Sequence, residues 1–202
     1  NDVPKKQINS TNLLNTGIEL YHKNIIIGAG NWNQWWGPAL HSSLVLSNNS
    51  DGFFHYFISS KNYISISENL MIKGRYFVSE GIKNRLEKDF YISAFFLNIK
   101  YKSTEIGLSK NILSGGNPDI SWNLNDAARV LILNTNNKYW DIMHDFYVLK
   151  EYKDSGLEIF LEFGYPNRTY GGNDPELYYD HARGTNIGLR KKNFFENNKL
   201  VF

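Results

Sequence analysis

The 202-residue chain contains no cysteine, which excludes disulfide staples, thiol catalysis and cysteine-based metal sites. It has no run of roughly 18 apolar residues, so none of its helices can span a bilayer. Strands need only about 9–11 residues to cross and escape that exclusion. Charge of one sign is also missing. With 22 basic and 20 acidic residues the net charge is +2, and there is no electrostatic case for nucleic acid. Proline is sparse, at positions 4, 38, 118, 166 and 175. All five fall in predicted loops or at strand ends, where a sheet must place a residue that cannot donate to its ladder. The opening Asn1-Asp2-Val3-Pro4-Lys5-Lys6 carries no signal peptide and reads as a mature or internal start.

Catalytic signatures are absent too. The chain has no Gly-x-Ser-x-Gly, His-Glu-x-x-His, P-loop or paired-histidine spacing. Gly28-Ala29-Gly30 lacks the rest of a dinucleotide fingerprint, and the five histidines lie far apart. Glu158 and Glu162 share one face of a predicted strand, but four residues along a strand is about 13 Å. Paired carboxylates of glycoside hydrolases lie about 5–9.5 Å apart. Carboxylates approaching across strands stay open. The expectation is a non-enzymatic protein without cofactor or metal.

What the chain does have is aromatic residues, 15% of the total, against 42% hydrophobic residues overall. Many segments alternate with period two between Gly, Asn, Asp and Ser turns, and few carry a helical period. The spacing predicts strands over 16–29, 42–48, 53–66 (one or two), 69–79, 90–101, 104–110, 128–134, 138–151, 156–165 and 181–192. A Trp-rich loop lies at 30–41, a charged turn at 80–89, with a single helical turn as its alternative, and loops at 114–127 and 166–180. That is an all-β chain of roughly ten strands with alternately short and long connections, read as one domain over 1–202. Along 156–164, Leu157, Ile159, Leu161 and Phe163 take one face, and Glu158 and Glu162 take the other with Phe160 between. In a soluble sandwich those glutamates face water; in a transmembrane barrel they face a polar lumen. Periodicity leaves both open. Tyr21, Phe53, Phe90, Tyr91, Tyr101, Tyr139, Trp140 and Tyr165 gather near predicted strand ends, as aromatic girdles do.

The most distinctive stretch runs Asn31-Trp32-Asn33-Gln34-Trp35-Trp36-Gly37-Pro38-Ala39-Leu40-His41, then Ser42-Ser43-Leu44-Val45-Leu46-Ser47-Asn48-Asn49. It resembles the signature of the capsule-assembly Wzi-like family, a Trp-Gly-Pro turn followed by Ser-Leu-hydrophobic-Leu-Ser-Asn-Asn. Gly156-Leu157-Glu158-Ile159-Phe160-Leu161-Glu162-Phe163-Gly164 and Asp180-His181-Ala182-Arg183-Gly184-Thr185-Asn186-Ile187-Gly188-Leu189-Arg190-Lys191 resemble two later strands of that family, in its Bacteroidetes type. The order and spacing of the blocks match, and they cover most of residues 16–192.

The resemblance implies an antiparallel transmembrane barrel of the bacterial outer membrane, about 18 strands in the family, of which this chain supplies about ten as a fragment or partial barrel. It implies a non-enzymatic, lectin-like role at the cell surface, with capsular or exopolysaccharide and outer-membrane lipid as partners. The final Phe202 follows Glu196-Asn197-Asn198-Lys199, which lack alternation, so that ending reads as chance. For sugar contact the residue types needed are flat aromatics with side chains that donate and accept. Asn31, Trp32, Asn33, Trp35, Trp36 and His41 offer these in one segment. Arg168, Tyr170 and Asp174 offer them in a second loop of adaptable composition. The Trp-Trp-Gly-Pro turn serves equally as a plug or an interfacial rim. Two other functions stay open. One is a structural subunit of an outer-membrane secretion or motility assembly, with other outer-membrane proteins as partners. The other is a porin-like channel in which Lys73, Arg75, Glu158 and Glu162 set selectivity.

Overall fold

The structure, a computed structural model, describes residues 15–46, 52–79, 82–83, 89–115, 124–131, 141–166, 183–195 and 198–201. Its strands are β1 (Gly17–His22), β2 (Ile25–Gly30), β3 (His55–Ser60), β4 (Ile64–Ser65), β5 (Leu70–Ser79), β6 (Ile82–Lys83), β7 (Asp89–Tyr101), β8 (Thr104–Gly115), β9 (Asp141–Tyr152), β10 (Leu157–Pro166), β11 (Gly184–Phe195) and β12 (Asn198–Val201). All join one antiparallel sheet in the order β1-β2-β3-β5-β7-β8-β9-β10-β11-β12, with β4 beside β5 and β6 beside β7. This is an up-and-down meander. Each long strand pairs with the one before it and the one after it, the ladder of a barrel wall.

Directly paired residues in an antiparallel ladder share a face, so the register sorts the strands into rows. Lys73, Asn98, Gly107, Tyr147, Glu162 and Asn186 form one row across β5, β7, β8, β9, β10 and β11. Arg75, Phe96, Ser109, Asp145, Gly164 and Gly184 form the next row on the same face. On the opposite face Ile72, Ile99, Ile106, Val148, Leu161 and Ile187 form a wholly aliphatic row.

Burial decides which face meets which solvent. Glu162 is 0% exposed and Glu158 6%, whereas Leu161 is 48% and Ile187 77% exposed. A soluble sandwich would reverse that assignment. The apolar face is the outer one, the pattern of a barrel whose wall faces lipid and whose interior is polar. Outward Tyr101 and Tyr152 lie at one end of the strands, and outward Tyr56 and Tyr165 at the other. Tyr21 and Phe53, expected in the same girdles, lie on the inner side instead, Phe53 packing against the core. Tyr139 and Trp140 lie outside the described residues.

The connections are asymmetric. Residues 23–24, 61–69, 102–103 and 153–156 connect the long strands at one end of the sheet, while 31–54, 80–88, 116–140 and 167–183 connect them at the other. Short turns at one end and long loops at the other is the arrangement of outer-membrane barrels, whose long loops are extracellular.

Several boundaries differ from expectation. The single strand over 16–29 is a hairpin, because Lys23 takes a left-handed φ of 53° in a turn that lacks the usual Asn-Gly signal. The run 53–66 is two strands, β3 and β4. Residues 42–46 form no strand. Residues 124–131, divided between an expected loop and an expected strand, form helix α1 (Leu124–Ala128) continued by a 3-10 turn (Arg129–Leu131). Ala127 and Val130, both buried, stand three apart at helical spacing. Arg129 pairs with Asp126 at 3.8 Å. The turn seats Val130 on the outer face against Ile112 and Ile142, with Tyr76 and Phe95 around them. Within the charged turn, Ile82 and Lys83 pair with β7; residues 84–88 lie outside the described residues. β12 occupies Asn198–Val201, where no alternation marked a strand.

Candidate functional site

Residues 31–46 leave the long-connection end of β2 and lie across the inner face as a strap. Its start is tied to β1. The Asn31 N–H donates to the Thr16 carbonyl at 2.9 Å, and the Thr16 N–H donates to Asn31 Oδ1 at 2.7 Å. Trp32 then stands edge-on to Phe57 and His55, at 5.6 and 6.3 Å between ring centroids. Gln34, buried, approaches His55 Nε2 at 3.1 Å.

Trp36 is the anchor. It is 5% exposed and packs edge-on against Phe77 and Phe96 at 5.5 and 5.2 Å, in a core cluster with Phe57 and Ala94. The strap turns back on itself there. The Trp36 N–H donates to the Leu46 carbonyl at 3.2 Å, and Ser43 Oγ donates to the Trp36 carbonyl at 2.5 Å.

The far half of the strap reaches strands on the other side of the sheet. Gly37, at φ 106°, lies directly on the Glu162 carboxylate, where a Cβ would collide. Asn186 Nδ2 donates to the other oxygen of Glu162 at 2.7 Å, and Ser42 Oγ donates to Asn186 Oδ1 at 3.3 Å. Leu44 seats over Gly164 and Gly184, paired across β10 and β11. A Cβ on either glycine would stand 3.0 and 2.8 Å from it.

Adjacent residues Trp36 and Gly37 thus touch β7 and β10. These strands lie three spacings apart, about 14 Å on a flat sheet. The strap thus bridges strands that do not pair with one another.

Beneath the strap a cavity of about 150 Å³ remains, bounded by Trp35, Trp36 and Gly37 above. Its floor comes from the two inner rows: Lys73, Asn98 and Tyr147 from one, Phe96, Ser109 and Asp145 from the other. Trp35 Nε1 donates to the Ala39 carbonyl at 2.8 Å, so the indole offers the cavity its ring rather than its donor. Tyr147 donates to Glu105 Oε1 at 2.5 Å, and Asn98 Nδ2 donates to the same oxygen at 3.3 Å. Asp145 is 4% exposed, and its Oδ1 has no hydrogen-bond partner among the described residues. Nearer the short-turn end the inner face closes with charge. Arg190 contacts Glu158 at 2.8 Å, Lys192 bridges Glu158 and Glu151, and Lys100 lies 3.7 Å from Glu151.

The residues expected to contact sugar divide here. Asn31 ties the strap to β1, Trp32 is half-buried against β3, and Trp36 is core. Trp35 lines the cavity, while Asn33 and His41 are exposed on the strap. The three tryptophans share one segment without forming one flat platform. Arg168, Tyr170 and Asp174 lie outside the described residues. The four charged residues considered for a channel all take the inner face: Lys73 and Glu162 in one row, Arg75 in the next, and Glu158 paired with Arg190. Sequence reasoning missed Asn98, Ser109, Asp145 and Tyr147. The available signal was their parity: Asp145, Tyr147 and Glu151 share the polar face of β9.

The family described as capsule assembly protein Wzi matches residues 3–202. No curated protein and no solved structure matches the chain significantly. The match spans nearly the whole chain, including the Trp-Gly-Pro strap, the Glu162 strand on which it rests and the meander that carries both. The chain therefore belongs to the Wzi family of capsule assembly proteins and has a role in capsule assembly.

Proposed function

We propose that the protein is embedded in the outer membrane and holds capsular or exopolysaccharide at the cell surface by binding, without chemical conversion. The observation that carries this reading is the strap. An aromatic segment from the long-loop end folds onto a polar inner face and leaves a lined cavity beneath it. Sugar chains present hydroxyls and weakly apolar ring faces, and such a mixed lining suits both. The aliphatic outer rows supply the lipid contact. Exposed Asn33 and His41 on the strap add to the binding surface, and Arg168, Tyr170 and Asp174 are the further sugar contacts of this reading. A strap across the inner face also favours a binder over an open channel.

The test is co-sedimentation of purified full-length protein, in mild detergent, with capsule from the producing cells. Saturable binding with no release of reducing ends supports the proposal. Absence of binding removes it, and appearance of reducing ends removes its non-enzymatic part.

A further inference from the structure

We propose that the cavity under Trp35 and Gly37 is a subsite for a single uncharged pyranose ring, gripped between Lys73 on β5 and Asp145 on β9. The inference rests on the polysaccharide-binding reading and names the ligand that this part of the protein takes.

Size limits the occupant first. At about 150 Å³ the space is half the roughly 300 Å³ at which pockets for drug-sized ligands begin. It admits one ring and no chain segment.

Chemistry limits it further. Asp145 is nine-tenths buried and lines the cavity, and its Oδ1 has no hydrogen-bond partner among the described residues. A buried carboxyl oxygen left without a donor is costly. The occupant must donate to it. Lys73, half-buried in the same lining, makes no ion pair among the described residues. An ammonium only donates, so the occupant must also accept. A bare anion satisfies Lys73 and brings no donor to Asp145; a bare metal cation offers Lys73 no acceptor. Sugar hydroxyls both donate and accept, so a hydroxylated ring meets both groups at once. The Trp35 ring, whose N–H is already committed to Ala39, and Phe96 are left to cover an apolar ring face.

The experiment follows tryptophan emission of the full-length protein in detergent. The probes are free glucose, galactose, mannose and N-acetylglucosamine, with inorganic phosphate and calcium chloride as single-charge controls. The expected result is a saturable change with at least one monosaccharide and none with phosphate or calcium. Asp145→Asn, nearly isosteric, and Lys73→Met are each expected to weaken that response at least tenfold. Retention of the compact, heat-modifiable band on gels checks that each variant is folded; should Asp145→Asn fail this check, Lys73→Met decides. Three results overturn the subsite: no monosaccharide response, saturation by phosphate or calcium in its place, or wild-type affinity in the folded variants. Capsule co-sedimentation run in parallel separates this inference from the reading beneath it. Capsule binding without a monosaccharide response overturns the subsite alone. A monosaccharide response without capsule binding supports the subsite and removes the polysaccharide reading.

Discussion

At the scale of single residues, neighbours in the strap separate stability from binding. Trp36 is buried against Phe77 and Phe96, and Trp36→Ala is expected to cost about 3–5 kcal/mol, the range for truncating a buried large aromatic. Trp35 is only half-buried and lines the cavity, so Trp35→Ala is expected to leave stability nearly unchanged and to weaken capsule binding. Urea unfolding of the folded protein in detergent, set beside co-sedimentation, checks both. Equal losses of stability in the two variants would erase the distinction. Gly37 carries a different constraint. Its φ of 106° and its contact with Glu162 leave no room for a side chain. Gly37→Ala is expected to cost about 1–3 kcal/mol through backbone strain and collision, read as a lower unfolding midpoint.

At the scale of elements, face parity makes the sharpest forecasts. In β10, Leu161 points outward in an aliphatic row, and its neighbour Glu162 points inward under the strap. Leu161→Arg is expected to cost about 2–4 kcal/mol, the range for a cation at the lipid midplane of a barrel, measured as reduced folding into phospholipid vesicles. Normal folding of that variant would show that lipid does not cover this face. The strap, an element without regular hydrogen bonding, depends on complementary gaps in the sheet. Gly164→Val fills the space over which Leu44 seats while adding a residue that suits a strand. The expected outcome is an intact sheet with a displaced strap, seen as faster chymotrypsin cleavage between residues 35 and 44. Unchanged cleavage would mean that the strap does not need this seat.

For the whole molecule, the unequal connections give a direction. Short turns at 23–24, 102–103 and 153–156 mark one end, and the long connections, the strap among them, mark the other. In outer-membrane barrels the long loops face outward. Because the chain has no cysteine, one introduced thiol reports its own location. An impermeant maleimide on intact cells is expected to label Leu40→Cys, at an exposed position of the strap, and to label Asp154→Cys, in a short turn, only after permeabilisation. The reverse pattern would place the strap on the periplasmic side and remove the cell-surface role.

Much of this molecule was written locally. Alternation in 69–79, 90–101 and 156–165 marked β5, β7 and β10 nearly to the residue, since side chains along any strand leave the backbone with period two. The Trp-Gly-Pro segment and its two companion blocks carried the family. Two local readings failed where a tertiary contact outweighed the local pattern. Residues 42–46 alternate like a strand, yet Leu44 is drawn onto Gly164 and Gly184. Residues 128–131 read as a strand, yet Val130 is drawn onto Ile112 and Ile142 in a helical turn. The sequence by itself determined which residues share a face, because that is a property of neighbours along the chain. Only the tertiary structure decided which face is inside, where the strap lies, and that Lys73 and Asp145 line one cavity. Those depend on what lies opposite each strand, and here the occupant is a strap more than a hundred residues away in sequence from the β10 glutamate it covers.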